Sequence, residues 1–245
     1  MSKAILRTSP FAAAVAHSLL LASSGQGQPA DSLVPGETVP VCGEGCFTDP
    51  RDGMTYPLIT VGGHRWFARN LAHDSPGSTC AGTDSAACDK DGRFYPWGEA
   101  TVSCPQGWKL PTDSDWTSLA SRLGGDDSAG VRLKTRVGWN SGGNGSDAVG
   151  FGAHPSGIVY SYGIFDGQGG HAFFWTSTPG RKGRSWYRGL DASYRDLNRS
   201  DMDTLNRLSV RCVEDAESSL SVSKPKAEPG TLAMGASAAA RPGTP

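Results

Sequence analysis

Trp116, Leu119, Ala120 and Leu123 recur at i, i+3, i+4 and i+7, which draws one apolar stripe along a helix predicted over 112–123. Thr112 stands where a capping hydroxyl is wanted, and Asp115 follows three residues on as a short form of the capping box. Gly124 and Gly125 close the helix, and a further short turn is predicted over 129–134. Elsewhere the period shortens. Residues 56–61 and 64–68 are β-like runs separated by Gly62-Gly63, the signature of a tight hairpin, with Trp66 and Leu71 assigned to the core. Three more strand-like runs cover 171–177, 184–190 and 207–213. Residues 137–170, dense in Gly, Asn, Ser and Asp, are too long for an idle connection, so this stretch must pack on itself or carry function. Few helices, several short strands and one large loop predict an α+β domain over 47–214, with small antiparallel sheets, one or two helices and long irregular loops.

The flanks differ. Lys3 and Arg7, an apolar run from Phe11 to Ala22, and small residues at Ser23, Ser24 and Gly25 make residues 1–25 a secretory signal, too short for a bilayer span. Residues 26–46 are a Gly/Pro/Ser-rich linker. Residues 215–245 hold too few large aliphatics to offset their ordering entropy and are expected to be a disordered tail. No second apolar run of about 20 residues follows, so the mature chain is expected to have no transmembrane segment. The 33 glycines come to roughly double the usual frequency, which adds turns and loops. A formal net charge of −1 gives no reason to expect a polyanion, and nucleic acid is excluded as a partner. All six cysteines (Cys42, Cys46, Cys80, Cys88, Cys104 and Cys212) lie beyond the signal, and an even number in an exported chain argues for disulfides without choosing among the pairings. A zinc site would need a second Cys or His pair to match Cys42 and Cys46, and none follows at ligand spacing.

Several ordered blocks carry a family resemblance across nearly the whole folded part. They are Tyr56…Trp66…Asn70-Leu71, Cys88 to Ala100, Cys104-Pro-Gln-Gly-Trp-Lys-Leu-Pro-Thr112, Asp147…Gly150-Phe151, Phe174-Trp-Thr-Ser177, Trp186…Arg188 and Ser209-Val-Arg-Cys-Val213. In this order they are similar to the Fibrobacter succinogenes major paralogous domain family, a group of secreted bacterial domains related to the C-type lectin and formylglycine-generating-enzyme folds. His64 and Asp91 depart from the family pattern, which more often has an amide and an aromatic there. The resemblance implies a C-type-lectin-like fold and a secreted, periplasmic or cell-surface location. With sequence locality, it also implies the pairings Cys80–Cys88, Cys104–Cys212 and Cys42–Cys46. Glycan binding and adhesion follow from it by fold analogy alone.

Catalysis is not expected. The formylglycine-generating relatives use a reactive cysteine pair, whereas Cys212 stands alone late in the chain and suits a half-cystine. His17, His64, His73, His154 and His171 form no helical i, i+3 or i, i+4 pair, and no Gly-x-Ser-x-Gly elbow occurs. Glu99, Asp113, Asp115 and Asp147 are carboxylates without a defined pair. Binding is the better expectation, for a surface glycan or an extracellular protein met by 137–170 and the strand connections 178–206. In Trp139 to Asp147, Asn140, Asn144 and Asp147 offer oxygens of the kind calcium takes, although the same residues equally build turns. The Glu-Pro-Asn and Gln-Pro-Asp triplets of typical calcium-dependent lectins are missing. Trp97, Trp108, Trp116 and Trp175 fall in fold-defining blocks and are expected in the core. Trp139, Tyr160, Tyr162, Trp186, Tyr187 and Tyr194 are expected to reach the surface, where a ring face can stack on a sugar. Arg188, among the basic residues of the late region, completes the expected ligand set. The interleaved Asp191, Asp196, Asp201 and Asp203 make that region a mixed-sign face. Two other readings stand beside this one: a structural envelope component, and a divergent formylglycine-generating-type enzyme.

Overall fold

The Gly62-Gly63 pair turns the chain as expected. Both glycines have positive φ (67° and 83°), and the strands they join, β2 (Thr55–Val61) and β3 (His64–Phe67), pair antiparallel with Val61 opposite His64. The computed structural model describes residues 45–82 and 86–216. The signal, most of the linker, Cys42 and nearly all of the tail lie outside the described residues. Strand β1 (Cys46–Thr48) pairs antiparallel with β2.

Four helices form among the described residues where one or two were expected: α1 (Ala86–Asp91), α2 (Trp97–Ser103), α3 (Asp113–Arg122) and α4 (Asp126–Leu133). The first two are 6 and 7 residues long, too short to show a helical period in sequence. Helix α3 carries the full capping box: Thr112 Oγ1 accepts the Asp115 N–H at 3.0 Å, and the Asp115 carboxylate accepts the Thr112 N–H at 2.8 Å.

Two sheets hold the strands. One has the order β1-β2-β3-β12-β5, with β5 at Trp108–Lys109 and β12 at Val213–Glu214. The other has the order β10-β9-β8-β11-β6-β7, with β4 (Phe94–Pro96) also paired to β11. Its members are β6 (Ile158–Val159), β7 (Phe165–Asp166), β8 (His171–Pro179), β9 (Arg184–Asp191), β10 (Asn198–Asp203) and β11 (Arg207–Ser209). Pairing within the sheets is antiparallel except for β8 with β11, where Ser209 meets Phe174 in parallel. The run 207–213, expected as one strand, divides between the sheets. Val210, Arg211 and Cys212 cross from one to the other, with Leu71 N–H on Val210 O and Phe67 N–H on Cys212 O. Strand β10 was not foreseen, because Asn198 to Asp203 reads as polar loop. Charge along an edge strand of this kind keeps it from pairing with other chains.

Strand β8 separates two cores, because alternate side chains leave opposite faces. Ala172 and Phe174, with Leu190 of β9, pack with Trp66, Trp116, Leu119, Leu123 and Phe151. Trp175 packs with Tyr56, Phe67, Tyr95 and Leu208, and Phe173 and Tyr187 lie against that second cluster half-buried. Each fully buried large apolar side chain contributes about 1.5–3 kcal/mol. Trp116 and Trp175 are core as expected, while Trp97 and Trp108 are half-buried on the second cluster.

The cysteines pair Cys80–Cys88 and Cys104–Cys212, and no described cysteine is free. The expected Cys42–Cys46 bond lies partly outside the described residues. No helix among them is long and apolar enough to cross a membrane.

Candidate ligand groove

Strands β8 and β9 and the turn after β9 enclose a groove of ≈ 480 Å³. Its floor follows from strand register. His171 lies opposite Asp191 and Phe173 opposite Gly189, so these side chains share a face with Tyr187. The Phe173 and Tyr187 rings meet edge to face at 5.4 Å, and His171 stacks on Phe173 at 5.6 Å. Gly189 lets both rings close over its backbone. A Cβ there would lie 3.2 Å from Tyr187 and 3.3 Å from Phe173.

Tyr194, Asp196 and Asn198 form the rim with Asp191. Helix α4 fixes their turn. Val131 N–H donates to Arg195 O at 3.0 Å, Leu197 N–H donates to Asp126 O at 2.8 Å, and Gly130 admits the Asp196 carbonyl where a Cβ would sit 2.0 Å from it. The buried Lys134 ammonium donates to Asp191 O and Tyr194 O, each at 2.9 Å, with the Trp139 ring 5.1 Å away. Burial lowers the Lys134 pKa, against the opposing pull of Asp191 and Asp196. The Asp191 carboxylate is engaged by His171 Nδ1 at 3.0 Å and by the Ser193 N–H at 2.6 Å. Among the described residues, nothing pairs with the Asp196 carboxylate.

Of Trp139, Tyr160, Tyr162, Trp186, Tyr187 and Arg188, expected to touch ligand, Tyr187 lines this groove, and so does Tyr194, expected only to reach the surface. Trp139 was expected at the surface but is 5% exposed. Its indole N–H donates to Thr135 Oγ1 and Ala153 O, so it anchors the 137–170 loop to the core. Arg188 is 1% exposed and turns toward α3 and α4, where it bonds Asp113 and Thr117 of the first and Asp126 of the second. Trp186 points away from Tyr187, as strand alternation requires, and the Arg199 guanidinium covers its ring at 3.5 Å. Tyr160 and Tyr162 stack in parallel at 5.3 Å on a separate exposed turn, between β6 and β7. The oxygens proposed for calcium face backbone amides of their own loop: Asn144 Oδ1 accepts Trp139 N–H at 3.0 Å and Asp147 Oδ1 accepts Gly152 N–H at 2.9 Å. Asn140 packs its amide against Gly169. His171, Phe173, Gly189, Asp191, Asp196 and Asn198 were missed. Their signal was the period-two pattern of two strands read together, which becomes a surface only once the register is known.

A second cavity of ≈ 440 Å³ lies between Lys90, Asp91, Val137, His154 and Gln168. Burial lowers the His154 pKa, and Arg211 adds to the effect. A third cluster brings ligand atoms of Asp49, Asp52 and His73 within 4.8 Å of one another. The Arg51 guanidinium bonds Asp49 at 2.9 Å and 2.7 Å, and His73 Nδ1 meets Asp52 Oδ2 at 2.8 Å. Burial alone would raise the Asp49 pKa, and the hydrogen bonds from Arg51 reverse this, leaving the carboxyl below its usual value. A depressed carboxyl contributes stability above its unfolded pKa, about 3.9, and loses it as pH falls through the folded value. Melting curves below about pH 4 should therefore fall less steeply for Asp49→Asn than for the native chain. Parallel curves would contradict this.

The blocks that build this architecture run from β2 to β12, and a family model, the Fibrobacter succinogenes major domain, matches residues 59–214. The chain belongs to that family. No curated protein and no solved structure gave a significant match. Both disulfides whose two cysteines are described have a member within the span of the family domain, as do both cavities and the Arg188 network.

Proposed function

We propose that this chain is a non-catalytic binding or adhesion module, exported from the cytoplasm, in which a C-type-lectin-like scaffold presents a saccharide seat at the groove of β8 and β9. The observation that carries this reading is the floor, where Phe173 and Tyr187 pack edge to face over a glycine and line the groove. A pyranose has an apolar C–H face and hydroxyl edges. Aromatic rings cover the face, and carboxylates and amides such as Asp191, Asp196 and Asn198 accept and donate at the edges. The groove volume falls within the range of small-molecule sites, about 300–1,000 Å³. Two disulfides suit an oxidising setting outside the cytoplasm. Cys212, the residue nearest to a catalytic thiol in the enzyme reading, is held in one of them.

A glycan array followed by calorimetry tests the proposal. Tyr194 is 65% exposed, so Tyr194→Ala should leave the melting temperature essentially unchanged while weakening any array hit about three- to tenfold, the range expected for one lost aromatic contact. Absence of any saccharide hit, or a hit indifferent to this substitution, would remove the basis for the reading.

A further inference from the structure

We infer that the groove selects a cationic saccharide, an oligosaccharide of amino sugars whose amine is free and protonated. This rests on the saccharide reading above. Charge complementarity favours such a ligand. Two carboxylates, Asp191 and Asp196, stand on the rim. Asp191 is already engaged by His171 and the Ser193 amide, which leaves Asp196 as the rim charge without a contacting partner among the described residues. Lys134 acts on Asp196 through space, but its ammonium donates to two backbone carbonyls and makes no hydrogen bond to that carboxylate among the described residues.

Four basic residues of this region are committed to other carboxylates. Arg181 and Arg184 pair with Asp201, while Arg188 and Arg199 pair with Asp113. Arg195 neighbours Asp196 in sequence but is not among the groove's lining residues. An ammonium group entering the groove meets the Asp196 carboxylate together with the aromatic lining of Tyr187 and the exposed Tyr194, a combination that favours a cation over a neutral group of similar shape. One surface ion pair and one exposed cation–π contact together amount to about a tenfold preference.

The test compares glucosamine oligomers with N-acetylglucosamine oligomers of equal length, titrated calorimetrically into the full chain in mildly acid buffer. The free-amine series should bind about tenfold tighter, with a preference that shrinks as salt is raised. In Asp196→Asn the ratio should collapse to about one. Should that variant fold poorly, Asn198→Asp adds a carboxylate at an exposed rim position and should widen the ratio instead. Equal or weaker binding of the free-amine series, a preference that survives Asp196→Asn, or no change in Asn198→Asp would each overturn the inference. If only neutral sugars bind, the amine selectivity fails and the saccharide seat stands. If no sugar binds, both fall.

Discussion

Replacing Arg211 by Met is expected to lower stability by about 3–5 kcal/mol and the melting temperature by roughly 10–15 °C. Arg211 lies on the crossing between the two sheets and is 1% exposed. Its Nε donates to Asn70 Oδ1 at 2.6 Å, and its terminal nitrogens donate to the carbonyls of Phe67, Phe151 and Gly152. The rings of Phe151 and Phe174 lie 4.4 Å and 5.5 Å from the guanidinium. A buried charge is costly unless its donors are met, and here neutral oxygens and ring faces meet them. Burial pushes the pKa down to about 9, with Asp147 acting against the shift, so the group stays cationic at neutral pH. Met fills much of the volume but strands four buried acceptors, each worth about 1–3 kcal/mol if nothing replaces the donor. Arg211→Lys should recover little, because an ammonium lacks the planar fork that reaches several carbonyls at once. Thermal unfolding of the three proteins measures this. A Met variant within about 1 kcal/mol of the native chain would show that the acceptors find water or each other.

Removing the Cys104–Cys212 bridge should cost about as much by a different route. The bond spans 108 residues, and in the chain-entropy model such a closure stabilises by about 4–5 kcal/mol. The Cys80–Cys88 bond spans 8 residues and by the same relation contributes about 2–3 kcal/mol. Domains of this kind are stable by only about 5–15 kcal/mol, so loss of the long bridge takes a large fraction of the total. Urea unfolding of Cys104→Ala/Cys212→Ala beside Cys80→Ala/Cys88→Ala should show the former losing more, by about 2 kcal/mol. Equal losses, or a larger loss for the short bridge, would count against loop closure as the source of the stabilisation.

Both effects converge on residues 210–212, and the sequence showed their importance unevenly. Cys212 was readable as a half-cystine. Arg211 stood inside a strand-like run and gave no sign of burial, since the carbonyls that receive it come from residues 67, 151 and 152. The capped helix at 112–123 and the Gly62-Gly63 hairpin were legible because each signal is local, a period or a turn within a few residues. Helices α1 and α2 and strand β10 were not, because pieces of six or seven residues rich in polar groups form only where the surrounding fold supports them.

The candidate site divides in the same way. Tyr187 lines the candidate groove, but Trp139 and Arg188, chosen as surface groups by residue type, went inside, since an indole or a guanidinium is buried readily once its donors find acceptors. Residue order alone therefore determined the α+β character, the hairpin, the main helix and its cap, and a cysteine set suited to an oxidising compartment, because those depend on near neighbours or on simple counts. Only the tertiary structure decided which face of β8 and β9 lines a groove, that Gly189 lets two rings close over it, and that no described side chain bonds the Asp196 carboxylate. Each of those depends on strand register and on helix α4 holding a turn more than sixty residues further along the chain, and no local pattern encodes such a distance.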